Sequence, residues 1–456
     1  MTKVIVAATP VAGHTGPLLR IAGHLAAAGH DVVFLGGSRY GAGAQAAGVA
    51  FRALPTRADY DDRDLAAAFP AREAVPPGPD RVGWDLRHVF GDPTPDQFQA
   101  LRTLLADFPA TVVIHDKLFL GGTVLALSAP PGARPTVLGI GIAPLSVPSR
   151  DTAPPLLGLL PPVDAEQRAW YAVLGEQLAA RSKPLTAYLR GCFAAAGVTL
   201  PHGPFSLVWT AAADRFLQLT VPGFEYPRSD LPANVSFIGP VPIPAGAAQQ
   251  LPGWWPELLR AREAGRRVVV VTQGTVANTD VSALLAPTVR ALAGREDVLL
   301  VAATARADGP RLLAAALPEV PANTRVAGFV PFDALLPHTD VLVTNGGYGG
   351  VQAALGHAVP LVVAGASEDK PEVAARVEWT GTGVNLRTDR PTVAALAAAV
   401  DQLLATPAFR ERAAALAEEF ARHDALGHLA ELVATLPGPP RSGTAASAPR
   451  TARAAR

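Results

Sequence analysis

The sequence predicts an α/β protein made of two Rossmann-like parallel-sheet halves that face each other across a cleft. Three observations carry this. The first forty residues run strand, loop, helix, strand, and the same pattern restarts past a proline- and glycine-rich connector near residue 245. The 456 residues also exceed what one ordinary core accommodates. A helix between consecutive strands is the connection that parallel pairing requires, and in such sheets ligands sit at the carboxyl ends of the strands.

KVIVAA reads as a buried first strand, TPVAGHTG as a loop, PLLRIAGHLAAAG as a helix and DVVFLGG as the second strand. Pro17 suits the first turn of that helix and Gly29 its C-terminal cap. Further strands are expected at TVVIHD (111–116), PTVLGIG (135–141), FLQLT (216–220) and VSFIG (235–239). Segments 55–97 and 144–165 are long and proline-rich, and read either as pocket walls and lids or as plain surface loops. After the connector GPVPIPAGAAQQLPG come RRVVVVTQGT, VLLVAA, TRVAGFV, DVLVTN and PLVVAG, with helical patterns between them. The expected division is a first domain over 1–240, a linker over 241–253 and a second domain over 254–422. A helix over 423–436 is expected to pack back on the first domain, and a tail over 437–456, poor in bulky apolar residues, to be disordered.

Composition narrows the function. Basic and acidic residues balance at 39 each, which argues against a nucleic-acid or anionic-membrane partner. No run of about 20 apolar residues exists to span a membrane. The opening MTKVIVAATPVAGHTG reads as a strand rather than a signal peptide. A lone cysteine, Cys192, leaves no internal disulfide and fits a cytoplasmic protein. The histidines show no metal-binding spacing, so no metal is expected.

The chemistry gathers at VLVTNGGYGGVQAALGHAVPLVVAG (341–365). Gly346, Gly347, Gly349 and Gly350 remove Cβ atoms where a strand passes into a helix. The open backbone N–H groups and the helix dipole there favour an anion, most often a phosphate. This is not a P-loop, and a dinucleotide fingerprint from Gly347 would need glycine where Gln352 stands. TQGT (272–275) ends the opening strand of the same half and brings Thr275 toward the turn. Asp369 and Lys370 follow the next strand, and paired acceptor and donor groups suit a polyhydroxylated ligand.

NGGYGGVQAALGHAVPLVVAGASEDKPEVAARV is similar to the donor-binding signature of family 1 glycosyltransferases with the GT-B fold. It resembles the actinobacterial subgroup whose glycine turn opens with Asn and whose second half opens with TQGT. The likeness runs from TPVAGHTGPLL to ARVEWTGTGVNL and so covers both halves. It implies a UDP- or dTDP-sugar co-substrate bound by the second half, an acceptor bound by the first, and no cofactor. Carried onto this chain, it implies that Phe329 of FVPF stacks on the base beside Val330, with Phe332 where Gln is usual. Asn345 falls where the family has a phosphate-binding His, with Gly347, Gly349 and Thr275 around the diphosphate. Ala353 falls where the family has a ribose-binding Glu, so that contact is lost unless Gln352 takes it over; this favours dTDP without excluding UDP. The sugar-facing Asp-Gln pair becomes Asp369 and Lys370.

The resemblance also implies that His14 of GHTGP, in the loop before the first helix, is the catalytic base of an inverting displacement. Asp116 matches the carboxylate that orients it, although strand alternation does not say whether His115 or Asp116 faces the cleft. Trp84, Phe90, Leu118, Phe119 and Pro144 are expected to bind a lipophilic small-molecule acceptor; the alternative is that such residues simply pack the domain. Two other functions fit the same architecture: a sugar-nucleotide 2-epimerase, and a non-catalytic sugar-nucleotide-binding protein.

Overall fold

The computed structural model describes residues 1–76, 78–242, 251–274, 278 and 280–436. Among them the first domain holds β1 (Lys3–Ala7), β2 (Asp31–Gly36), β3 (Ala50–Ala53), β4 (Val112–Asp116), β5 (Thr136–Gly141), β6 (Arg215–Gln218) and β7 (Val235–Phe237). They form one parallel sheet in the order β3-β2-β1-β4-β5-β6-β7. The second domain holds β8 (Arg267–Thr272), β9 (Val298–Ala303), β10 (Thr324–Ala327), β11 (Val341–Thr344), β12 (Leu361–Val363) and β13 (Gly383–Asn385). Their order is β10-β9-β8-β11-β12-β13, again all parallel. The strand order reverses between β1 and β4 and between β8 and β11. A crevice opens at such a switch point because the helices on either side leave in opposite directions. GHTGP follows β1, Asp116 ends β4, TQG follows β8 and NGG follows β11, so all four lie at the two switch points.

The strands are apolar on both faces because helices cover both sides of each sheet. Val4 and Val6 pack with Leu18, Ile21 and Leu25 on one side of the first sheet, while Ile5 and Ala7 join Phe119 and Leu120 on the other. The helix Ala425–Thr435 adds Ala425, Leu429 and Val433 to the first of these clusters, so the end of the described chain packs on the first domain.

Three local expectations need correction. The first helix spans Ala12–Ala27, which puts Pro17 six residues inside it and His14 in its first turn rather than in the preceding loop. Val11 is extended and serves as the N-cap; proline this near the start costs only one early hydrogen bond. Segment 55–97 is not irregular: it contains helices Leu65–Ala68 and Pro79–Asp85, a π-helical turn over Leu86–Gly91, and the start of Thr94–Asp107. Prolines that read as loop residues sit instead at helix starts, where no N–H is needed. The expected linker lies largely, and the tail wholly, outside the described residues.

The domains touch through a buried ion cluster. Arg376, on the helix Lys370–Trp379, is fully buried and bonds Glu225 of the first domain through Nε–Oε1 (3.0 Å) and Nη2–Oε2 (2.8 Å). Its Nη1 bonds Glu372 (2.9 Å), whose other oxygen accepts the Gly158 N–H (2.9 Å).

Candidate active site

Asp116 closes β4 with no exposed surface. Its Oδ2 accepts the Thr9 N–H (2.7 Å), and its Oδ1 accepts the Leu118 N–H (2.9 Å) and faces His14 Nδ1 at 2.8 Å. Burial pushes this carboxyl up, but His14 and the two N–H donors outweigh it and leave the group below its ordinary value. With Nδ1 held by Asp116, His14 keeps Nε2 for the cavity whose wall it forms. The Phe90 ring stacks on the imidazole at 5.7 Å between centroids.

His115 points the other way. Its Nδ1–H donates to the Asp116 carbonyl (2.8 Å), and the ring lies so close to Gly122 that a Cβ there would come within 2.4 Å. Burial draws its pKa down. Of the two adjacent side chains, Asp116 reaches the cleft histidine and His115 belongs to the core.

In the glycine turn, Gly346 has φ +87°, and a Cβ there would meet Val363 at 2.8 Å. Gly346 therefore shapes the backbone and is not part of the cavity wall. Gly347 is the N-cap of the helix Tyr348–Gly356. Gly347, Gly349 and Gly350 line the cavity with open space where a Cβ would project. Asn345 is buried, and one amide N–H is already given to the Gln273 carbonyl; the other N–H remains, with an Oδ1 that has no partner among the described residues. Gln352 lines the same wall with its Oε1 buried and without a partner among the described residues, beside Ala353. Thr275 lies outside the described residues.

Phe329 is 58% exposed on the wall, with Val330 and Phe332 beside it. Asp369 also lines the cavity, and burial raises its carboxyl above the ordinary value against the pull of Lys370 and Lys117. Lys370 is buried and its ammonium is paired with Glu368, so the donor expected beside Asp369 is already engaged.

His14, Phe329, Asn345, Gly347, Gly349, Gly350, Gln352 and Asp369 border one cavity of about 2200 Å³ between the domains. Of the expected acceptor residues, Phe90 and Leu118 line it; the other three do not. Phe119 is fully buried among Leu120, Val124 and Phe193, because it caps the helix after β4 from the core side. Trp84 packs against Phe69 and His88, and Pro144 is buried behind the wall. Val82, Leu86, Val89, Leu156 and Trp209 supply apolar lining in their place. Lys117, Arg20 and Tyr348 also border the cavity and were not singled out by the sequence. Lys117 had a signal in its position next to Asp116, and Tyr348 in its place between Gly347 and Gly349. Tyr348 ties the turn to the first domain, its hydroxyl 3.3 Å from Gln218 Nε2 and its ring stacked on Phe224. Among the described residues no cluster of His, Cys, Asp or Glu has the makings of a metal site, and no helix is long and apolar enough to cross a membrane.

Residues 299–436 match the family described as erythromycin biosynthesis protein CIII-like, C-terminal domain. The chain is 40% identical over 434 residues to 4'-demethylrebeccamycin synthase of Lentzea aerocolonigenes, covering 94% of this chain and 98% of that one. It is 38% identical over 437 residues to UDP-glycosyltransferase 2 of Phaeomoniella chlamydospora, covering 94% of each. Among solved structures it resembles the kitacinnamycin glycosyltransferase with a TM-score of 0.70 at 23% identity, covering 95% of this chain and 98% of that one. The calicheamicin glycosyltransferase CalG4 superposes with a TM-score of 0.69 at 19% identity, over the same shares. Two parallel sheets facing across one cleft, and relatives matched over nearly their whole length, lead to one conclusion: the chain belongs to the UDP-glycosyltransferase family of GT-B glycosyltransferases.

Proposed function

We propose that the protein is an inverting glycosyltransferase that moves a sugar from a UDP- or dTDP-sugar to a hydroxyl of a lipophilic small-molecule aglycone. The observation that carries this is His14 Nδ1 at 2.8 Å from a buried Asp116, with His14 on the wall of the cavity that the glycine turn also borders. In this reading the acceptor O–H gives its proton to His14 Nε2 while its oxygen attacks the anomeric carbon. The bond from that carbon to the diphosphate breaks on the opposite face, and the diphosphate leaves with the electron pair. An α-linked donor then gives a β-glycoside. Asp116 holds the imidazole in one tautomer and stabilises the imidazolium that forms. Gly347, Gly349 and the N-terminus of the helix they open receive the diphosphate charge. Phe329 takes the base, and Asp369 accepts hydroxyls of the sugar.

The apolar lining around Phe90, Leu118 and Trp209 supports a lipophilic acceptor, in keeping with a relative named for rebeccamycin. Ala353, in place of a ribose-binding carboxylate, supports tolerance of a nucleotide without a 2′-hydroxyl.

The test is product mass after incubation with UDP-glucose and dTDP-glucose, separately, over a panel of phenolic and polyketide aglycones. A gain of one hexose that disappears with His14→Ala, while that variant still binds nucleotide, supports the reading. Full activity in His14→Ala refutes the base; an α-configured product from an α-donor refutes inversion. Turnover of UDP-GlcNAc without acceptor points instead to an epimerase.

A further inference from the structure

We propose that Arg20, on the first domain, binds the diphosphate of the sugar nucleotide from the side opposite the glycine turn. This rests on the donor reading above and adds a cation to it.

The first helix has two faces. Leu18, Ile21, Ala22 and Leu25 are buried in the core, whereas Gly13, Gly16 and Arg20 form a helical stripe along the cavity. Helical side chains lean toward the N-terminus, and this arginine does so: its Nη1 lies 3.7 Å from where a Gly16 Cβ would stand. The guanidinium is thereby carried back one turn, toward the end of the helix that holds His14.

Among the described residues Arg20 has no carboxylate to answer it. Its Nε is buried without a partner, and burial draws its pKa down with no neighbouring acid acting against it. An arginine keeps its charge under such conditions, so the guanidinium can take an anion from the cavity.

The cavity that Arg20 shares with the glycine turn indicates which anion. Tyr348, after β11, meets Gln218 at the end of β6, and Arg376, after β12, meets Glu225 just beyond it. Gln273 and Gly274 beyond β8, with Asn345 bonded to Gln273, border the same cavity as Arg20. The glycine turn itself offers dipoles but no formal positive charge, since Asn345 is neutral and Lys370 is paired with Glu368. A guanidinium fork from the other domain supplies that charge, and it does so at the group whose negative charge grows as the sugar departs.

The experiment is equilibrium binding of UDP and dTDP by calorimetry, and of uridine and thymidine by ligand-observed NMR, to the wild type, Arg20→Ala and Arg20→Lys. Arg20→Ala is expected to bind the diphosphates about 10- to 100-fold more weakly with the nucleosides unchanged, and Arg20→Lys to fall between. Equal diphosphate affinity in Arg20→Ala and wild type overturns the assignment while leaving the donor reading intact. So does an equal loss of nucleoside and diphosphate, which marks general damage to the site. A wild type that binds neither diphosphate overturns the donor reading and this inference with it. If Arg20→Ala does not fold, Arg20→Gln, which keeps the side-chain stem, is measured against the same outcomes.

Discussion

Arg376→Leu is expected to be the most damaging single change at the domain interface. The arginine is fully buried and makes two bonds to Glu225 and one to the Glu372 carboxylate, and its guanidinium lies 4.4 Å over the Tyr226 ring. Leucine removes the charge and leaves two buried carboxylates. Glu225 keeps Arg228 at 3.1 Å and the Leu145 N–H at 2.9 Å, so it is partly compensated. Among the described residues Glu372 keeps only the Gly158 N–H. Removing one partner of a buried pair costs about 3–5 kcal/mol, mostly from the charge left behind. Because the cluster joins the two domains, the loss should appear as an earlier urea transition. It is best read with separate probes, because a two-domain chain need not unfold in one step. Arg376→Met combined with Glu372→Gln removes the charge stranded at Glu372, leaves Glu225 paired with Arg228, and should recover part of the loss. The acid side of the profile gives a second reading. Burial pushes Glu225 up, but Arg376 and Arg228 outweigh it and leave its carboxyl below the ordinary value. Such a group stabilises the fold above its unfolded pKa of about 4.3, and that stability is lost as pH falls through the lower folded value. Arg376→Leu should flatten this dependence. A loss under about 1 kcal/mol, with the acid profile unchanged, would refute the reasoning, because the charges would then be solvated.

Three further outcomes follow from the same geometry. Asp116→Asn should lower kcat by about 10²- to 10⁴-fold with little change in donor KM, checked by steady-state kinetics; unchanged kcat would remove Asp116 from the proposed mechanism. Gly122→Ala drives a methyl into the His115 ring, where a Cβ would stand 2.4 Å away, and should cost about 1–3 kcal/mol in urea titration. His115 itself is buried with its pKa lowered, so below its unfolded value of about 6.5 the unfolded chain takes up a proton that the folded chain refuses. Stability should therefore decline as pH falls through that region, and His115→Gln should remove that part of the decline.

Much of this protein was legible in the sequence because it is local. Apolar runs of strand length, helices closed by glycine and a pattern that starts twice are properties of neighbouring residues, and they yielded both sheets and the glycine turn. The short edge strands Ala50–Ala53 and Gly383–Asn385 escaped notice, because three or four residues carry too little periodicity to read. So did the proline-led helices of segment 55–97.

What the sequence determined by itself is the duplicated α/β plan and the positions in the chain where loops leave the strands, since these follow from period and from glycine and proline chemistry. Only the tertiary structure decided which side chains face the cleft. Asp116 rather than His115 meets His14 because the helix Leu120–Ser128 packs on the His115 side of β4. Phe119 enters the core while Leu118 borders the cavity, although they are adjacent. Tyr348 finds Gln218 and Arg376 finds Glu225 across 130 and 151 residues of sequence. The orientation of each such residue depends on what packs against both faces of its element, and that is set by contacts between distant segments rather than by neighbours in the chain.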